Sequence, residues 1–257
     1  MNVEDNANVL RKFHNYVKFQ LYSTFCETNT SLLDIGCGRG GDMFKWKKTG
    51  INKVIAIDIN KNFVNDAIKR YRTNKAVLTN SDFTFFYTNP RYIFSDFLQH
   101  KNLQTKFDNV SCMFALHYFF ENEGSIKSLF QQISKALKKG GFFFGTIMNG
   151  SKVNELVINN EIHNSRAMFV KKEYSKISNF GTKIQFMLSG TLYFGDKTLS
   201  TEYLIFENVL KALGDLYGLE LIEFECFEKY YNESFFEMTN EFKVASFLNY
   251  TFSFKKI

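Results

Sequence analysis

The 257-residue sequence predicts an α/β domain with a mostly parallel seven-stranded sheet, helices on both faces and a hairpin insertion. Two observations carry that class. Short apolar runs alternate five times with longer polar or amphipathic stretches, and two further apolar runs close the chain. A glycine-rich turn, Gly36-Cys37-Gly38-Arg39-Gly40-Gly41, joins the first apolar run to the segment after it.

Residues 6–26 read as a helix, because Val9, Leu10, Phe13, Tyr16, Val17 and Leu21 recur at helical spacing. SLLDI (31–35) is a short buried strand, the glycines make the turn, and DMFKWKK (42–48) starts a helix with an acid in its first turn. KVIAIDI (53–59) is the second strand. Asn60 caps the helix that follows. FTFFYT (83–88) and FDNVSCMFAL (107–116) are the third and fourth strands. The helix SIKSLFQQISKALKKGG (125–141) ends on lysines and a glycine pair, and GFFFGTIMN (141–149) is the fifth strand. Beyond it, KIQFMLSGTLYF (183–194) reads as a hairpin turning at Ser189-Gly190. Residues 200–217 and 227–238 read as helices, and 219–227 and 244–256 as strands.

The chain reads as one domain, 1–257: an N-terminal helical segment (1–30), a core (31–149), then an insertion and the final strands (150–257). Hydrophobic residues make up 45% and the net charge is +6, which permits an anionic partner without requiring one. The abundance of Phe, Asn, Lys and Ile fits an AT-rich genome. Cys26, Cys37, Cys112 and Cys226 form no Cys-x-x-Cys pair, so reduced thiols and no metal are expected. No apolar run reaches the ~20 residues that span a bilayer, so no membrane partner is expected.

Gly36, Gly38 and Gly41 satisfy G-x-G-x-x-G, and Asp58 stands where a ribose-binding acid is expected. A dinucleotide would place its pyrophosphate at the start of the next helix. Asp34 and Asp42 there oppose it. S-adenosylmethionine carries no phosphate but has an ammonium that an acid suits, and glycines let the backbone close on it. The sulfonium reading is the better of the two.

The chain resembles the messenger-RNA cap guanine-N7 methyltransferases of eukaryotes and large DNA viruses. The matching pieces are LRKFHNYVKFQL (10–21), DIGCGRGGDMFKWKKTGINKVIAIDI (34–59), AIKRY (67–71), FDNVSCMFALHYFF (107–120), LKKGGFFFGTIMN (137–149) and STEYLIF (200–206). The resemblance implies a class I, Rossmann-like S-adenosylmethionine-dependent fold. On the cofactor side it implies Lys18 at the methionine carboxylate, Asp34, Gly36 and Gly38 along the methionine half, Asp58 at the ribose, and Asn89 and Met113 near the adenine. Asn89 stands where the family has an acid, and Met113 where it has Gln. On the cap side it implies Asn15, Phe114 and Tyr118, with His117 donating to guanine O6, Glu202 accepting from N1–H and the N2 amine, and Arg39 and Arg70 on the triphosphate. Lys45, Lys47 and Lys48 form a charge run that suits either solvent or an RNA backbone. Met148 replaces the family's Pro. Asn249 takes the place of a late aromatic, with Tyr250 beside it as the cap contact.

Guanine N7 has a free lone pair at neutral pH, so the implied reaction is an in-line displacement that needs positioning by His117, Tyr118 and Glu202 but no general base. The implied partner is 5′-capped RNA, with other capping domains or subunits alongside. The compartment would be host cytoplasm for a virus and the nucleus for a cell. Two alternatives stay open: a methyltransferase for another RNA atom or a small molecule, and a catalytically silent stimulatory subunit.

Overall fold

The computed structural model describes residues 2–88, 106–189 and 199–257. Helix α1 (Val3–Phe25) starts three residues earlier than its apolar spacing suggests, because the Asn2 side chain accepts the Asp5 N–H and caps it. Its inner face buries Leu10, Phe13, His14, Val17 and Leu21. The sheet domain continues through β1 (Ser31–Ile35), α2 (Met43–Lys48), β2 (Lys53–Asp58), α3 (Lys61–Thr73), β3 (Asp82–Tyr87) and β4 (Phe107–Met113). A 3₁₀ turn (Leu116–Glu121), α4 (Glu123–Ala136) and β5 (Leu137–Met148) follow. Asn60 caps α3 by accepting the N–H groups of Asn62 and Phe63, as its sequence position suggests.

The seven strands lie in the order β10-β11-β5-β4-β1-β2-β3, with β10 spanning Leu219–Cys226 and β11 spanning Asn249–Lys256. β11 runs antiparallel to both neighbours, and the remaining contacts are parallel. Strand alternation divides the core. Leu33, Ile35, Ile55, Ile57, Val110 and Phe143 face one layer. Leu32, Val54, Ala56, Phe83, Phe85 and Phe144 face the other, where Trp46 of α2, Val64 and Ala67 of α3 and Tyr22 of α1 cover them. The connections reverse direction between adjacent β1 and β4, so a crevice opens at their carboxyl ends.

After β5 come α5 (Gly150–Val157) and a second, antiparallel sheet, β6 (Ile162–Asn164), β7 (Met168–Lys172), β8 (Lys183–Leu188) and β9 (Ser200–Tyr203). This four-stranded sheet replaces the simple hairpin read from the sequence. Gly190 lies outside the described residues.

Four boundaries differ from the sequence reading. Residues 200–203 are strand, not helix, because Ser200–Tyr203 pair with Phe186–Lys183; α6 (Glu207–Leu216) begins only after them. The region 227–238 holds a single 3₁₀ turn, Phe227–Tyr230, and the Asn232 side chain then closes a local turn onto the Ser234 N–H. Residues 240–247 form α7 (Asn240–Phe247) before β11 begins. Helix α4 stops at Ala136, because Leu137 already pairs with Phe107 of β4. In each case long-range pairing or a side-chain turn outweighs local propensity.

Two glycines of the turn are held by geometry. Gly36 has φ +77°, and a Cβ there would meet the Ala115 Cβ at 2.5 Å. Gly40, outside the G-x-G-x-x-G register, has φ +68° and would meet the Met43 Cε at 2.6 Å. Gly41 has open space around it. Gly36→Ala is therefore expected to cost about 2–4 kcal/mol of folding stability, and Gly41→Ala less than about 1 kcal/mol. Urea unfolding of the two variants measures the difference.

Candidate functional site

The crevice at the carboxyl ends of β1 and β2 is lined by buried acids. Asp58 ends β2 and accepts the Gly38 N–H on one oxygen and the Asn60 N–H on the other, both at 2.8 Å. Asp34 of β1 is 3% exposed and accepts from the Ser111 hydroxyl of β4. Burial, reinforced by the charge of Asp42, raises its pKa to about 7. Asp42 is the third acid. Burial favours its neutral form, but the ammonium groups of Lys18 and Lys45, each 2.7 Å away, outweigh that and hold it at about 2. Lys45 also donates to the Asn15 side chain at 2.7 Å. Asp42 is thus neutralised from two sides, and its weight against an anionic ligand is lower than the sequence suggests.

Next to this crevice an open cavity of about 220 Å³ is lined by His14, Phe114, His117, Tyr118, Glu202 and Asn249, with Met148 and the β8 residues Phe186, Met187 and Leu188. That is below the roughly 300–1,000 Å³ of pockets for larger ligands and suits one flat base. Phe114 has φ +53°, rare for a bulky residue, and its N–H is anchored on Thr146. The His14 ring stacks on it, with centroids 5.5 Å apart and planes 23° apart. His117 Nε2 is buried without a hydrogen-bond partner; the Glu202 Oε2 is 3.5 Å away and misaligned. Burial lowers the His117 pKa, so its ring is neutral at pH 7 and the pair is not an ion pair. The other Glu202 oxygen accepts the Ser200 hydroxyl at 2.8 Å. Asn249 donates its amide to the carbonyls of Ala245 and Ser246, which fixes its orientation and leaves its own carbonyl oxygen without a donor among the described residues.

The fold therefore brings Phe114, His117, Tyr118 and Glu202 together around one cavity, and Lys18, Asp34, Gly36, Gly38 and Asp58 along the adjoining crevice. Met113 is buried at the end of β4, in the layer with Tyr22 and Trp46. Arg39 and Arg70 are exposed, Arg39 over the Phe63 ring and Arg70 over the Phe44 ring. Asn89 lies outside the described residues. Two cap-side expectations are corrected by the structure. Tyr250 does not line the cavity: neighbours on a strand point to opposite faces, and its ring packs on Phe224, 5.1 Å away, while Asn249 faces in. Asn15 does not line it either; its amide is taken up by Lys45 and the Arg11 carbonyl. His14, its neighbour, does. The signal for His14 was its register with Leu10, Val17 and Leu21 on the buried stripe. Ser200 was hidden by reading its strand as a helix.

A family model described as the mRNA (guanine-N(7))-methyltransferase domain matches residues 4–247. The chain belongs to the mRNA (guanine-N(7))-methyltransferase family. Among its relatives, the mRNA cap guanine-N(7) methyltransferase of Schizosaccharomyces pombe is 33% identical over 237 residues, covering 87% of this chain and 63% of that protein. The probable mRNA-capping enzyme of Acanthamoeba polyphaga mimivirus is 29% identical over 272 residues, covering 92% of this chain and 23% of that protein. The chain thus spans less than two thirds of either relative. A putative S-adenosylmethionine dependent methyltransferase from Listeria monocytogenes shares the fold, with a TM-score of 0.65 at 14% identity, over 96% of this chain and 99% of that one.

Two buried groups make stability depend on pH in opposite directions. Burial and the nearby Lys18 lower the His14 pKa to about 3. Its contribution is complete above about pH 6.5, the unfolded value, and is lost as pH falls from there toward 3. Asp34 works in reverse: its folded pKa of about 7 exceeds the ordinary 3.8, so stability falls as pH rises between those values. Between pH 7 and 5, His14→Asn is expected to remove an acid-side loss of about 2 kcal/mol. Asp34→Asn is expected to remove the opposing gain. Urea midpoints at the two pH values check both signs.

Proposed function

We propose that the chain transfers a methyl group from S-adenosylmethionine to N7 of the guanine cap of GpppN-RNA. One observation carries this reading. A cavity of base size, with an aromatic wall, an unpartnered buried imidazole nitrogen and a buried carboxylate, opens at the same strand ends as the glycine turn.

The crevice fits the cofactor. A Cβ at Gly36 would fill the cradle. Asp34 is a buried carboxylate lacking a direct cation, which the ligand's ammonium would supply. Lys18 sits where it can share its charge with the ligand carboxylate. Asp58, held rigid by two backbone N–H groups, keeps lone pairs for ribose hydroxyls. Met113 would border the adenine. Bound there, S-adenosylmethionine supplies a methyl group on a positively charged sulfur.

The chain's own residues then orient the acceptor. Phe114 and His14 present a stacked face to the base. Glu202 accepts from guanine N1–H and the N2 amine; adenine offers an acceptor at N1 and is rejected. The free carbonyl of Asn249 is a second acceptor for that donor edge. His117 Nε2, as the protonated nitrogen, donates to O6, and Tyr118 closes the rim. Arg39 and Arg70 face the triphosphate, and Asn15 holds Lys45 toward the same side. N7 already bears its lone pair, so no side chain need take a proton. This suits His14 and His117, which burial keeps neutral, and Cys26, Cys37 and Cys112, whose thiols burial pushes up. The work is positioning, with N7 held roughly 3–3.5 Å from the methyl carbon. Because its relatives are longer, we place this unit beside other capping activities. Its compartment would be the one where its transcripts are made: host cytoplasm for a virus, nucleus for a cell.

Glu202→Ala and His117→Ala are each expected to cut methylation of GpppA about 100-fold or more while cofactor affinity, read by calorimetric titration, stays within about threefold. Asp58→Ala should instead weaken cofactor binding. Normal turnover in both pocket variants would overturn the reading. A folded wild-type protein that binds no cofactor would favour the silent-subunit alternative.

A further inference from the structure

The charge of the chain is not evenly spread. Between Asn6 and Ser81 stand thirteen Lys and Arg against five Asp and Glu, an excess of eight, whereas the whole chain nets +6. Three of those five acids, Asp34, Asp42 and Asp58, are buried in the crevice, and Asp66 pairs with Arg39 at 3.4 Å. The exposed acids of α1, α2 and α3 are therefore few: Glu4 and Asp5 in the first turn of α1, and Asp66 on α3.

Ion pairs are sparser on this face than on the rest of the described surface. In the later described residues, eight surface cations sit against a carboxylate: Lys127, Lys138, Lys152, Arg166, Lys183, Lys211, Lys229 and Lys243. On the α1–α3 face, Lys12, Lys48, Lys69 and Arg70 are exposed and none has an acid within ion-pair distance among the described residues. Unpaired like charges repel one another, and such a cluster is stabilised when an anion covers it.

Aromatic rings interleave with these cations. Lys48 lies 4.5 Å from the Phe19 ring centroid, Arg70 lies 5.7 Å from that of Phe44, and Arg39 lies 4.9 Å from that of Phe63. Phe44 is 36% exposed and offers a stacking surface. The face is also continuous with the cavity. His14 lines the cavity; Asn15, next on α1, accepts from Lys45 of α2; one helical turn further on, Phe19 of α1 carries Lys48.

From this we infer that the α1–α2–α3 face is a track for the single-stranded RNA chain beyond the cap, gripping its phosphates through Lys12, Lys48 and Lys69. This rests on the capped-RNA reading above. It goes further in naming a second, sequence-independent contact that a cap dinucleotide cannot reach.

The test uses Lys12→Gln/Lys48→Gln/Lys69→Gln, three positions outside the cofactor crevice and the base cavity. The control is Lys139→Gln/Lys176→Gln/Lys255→Gln on the remaining surface. Each protein is assayed on GpppA and on a GpppA-capped 20-nucleotide RNA, and fluorescence anisotropy measures its affinity for the uncapped 20-mer between 50 and 200 mM salt. The wild type is expected to show a KM at least tenfold lower for capped RNA than for GpppA. The track variant should lose that advantage, keep its kcat and KM on GpppA, and show a salt slope shallower by about 2, as three lost phosphate contacts require. The control should match the wild type. If the track variant keeps both the advantage and the slope, or if the wild type shows no preference for the longer RNA, the track is wrong. If neither substrate is methylated but the track variant still loses affinity for the 20-mer, the track stands and the cap reading fails.

Discussion

The placement of the N-terminal helix depends on one buried carboxylate. Asp42, at the turn after β1, is held between Lys18 of α1 and Lys45 of α2. A buried acid in this position would be costly alone, and removing one partner from such a cluster typically costs about 3–5 kcal/mol. The arrangement ties α1, which belongs to no strand–helix repeat, to the glycine turn. With α1 fixed there, His14 reaches the base cavity and Lys18 reaches the crevice. The crevice and the cavity are thus tied to the same helix, with one helical turn between their residues.

The two halves of the site are assembled differently. The crevice is local: Asp34, Gly36, Gly38, Asp42 and Asp58 fall within 25 residues of chain, across a single strand–turn–helix–strand unit. The cavity is drawn from α1, the segment after β4, the end of β5, β8–β9 and β11, so residues more than 200 positions apart share it. A local unit tolerates little change, because its backbone geometry and its charges are coupled; Asp58 shows this by accepting the Gly38 N–H. A cavity built from five separate pieces lets one wall change while the others hold. Met148 and Asn249, the two departures noted on the acceptor side, both lie in its walls.

The same contrast explains what could be read from the sequence. The strand–helix alternation, the Asn60 cap and the position of the glycine turn between β1 and α2 are legible because local spacing and turn chemistry specify them. Glu202 is singled out by the motif resemblance and lines the cavity, although its segment reads as helix in the sequence and is strand in the fold. Nothing within Ser200–Tyr203 signals a strand strongly; its partner Lys183–Phe186 makes it one. Once it is a strand, Ser200 and Glu202 fall on one face by the period of two, which is why the hydroxyl reaches the carboxylate. Tyr250 failed for the same reason in reverse: an aromatic was expected, and the alternation of β11 turned it away.

Asn249 shows why the strand's own residue is used instead. Helix α7 ends just before β11 and leaves its last carbonyls in need of donors. The Asn249 amide donates to two of them, those of Ala245 and Ser246, and the Ser246 hydroxyl is bonded in turn to His14. An aromatic side chain at this position could fill the wall but could not satisfy those carbonyls. The amide does both, because Asn249 satisfies the carbonyls and still lines the cavity. Hydrogen bonds therefore link the helix end and the strand start to His14, whose ring stacks on Phe114.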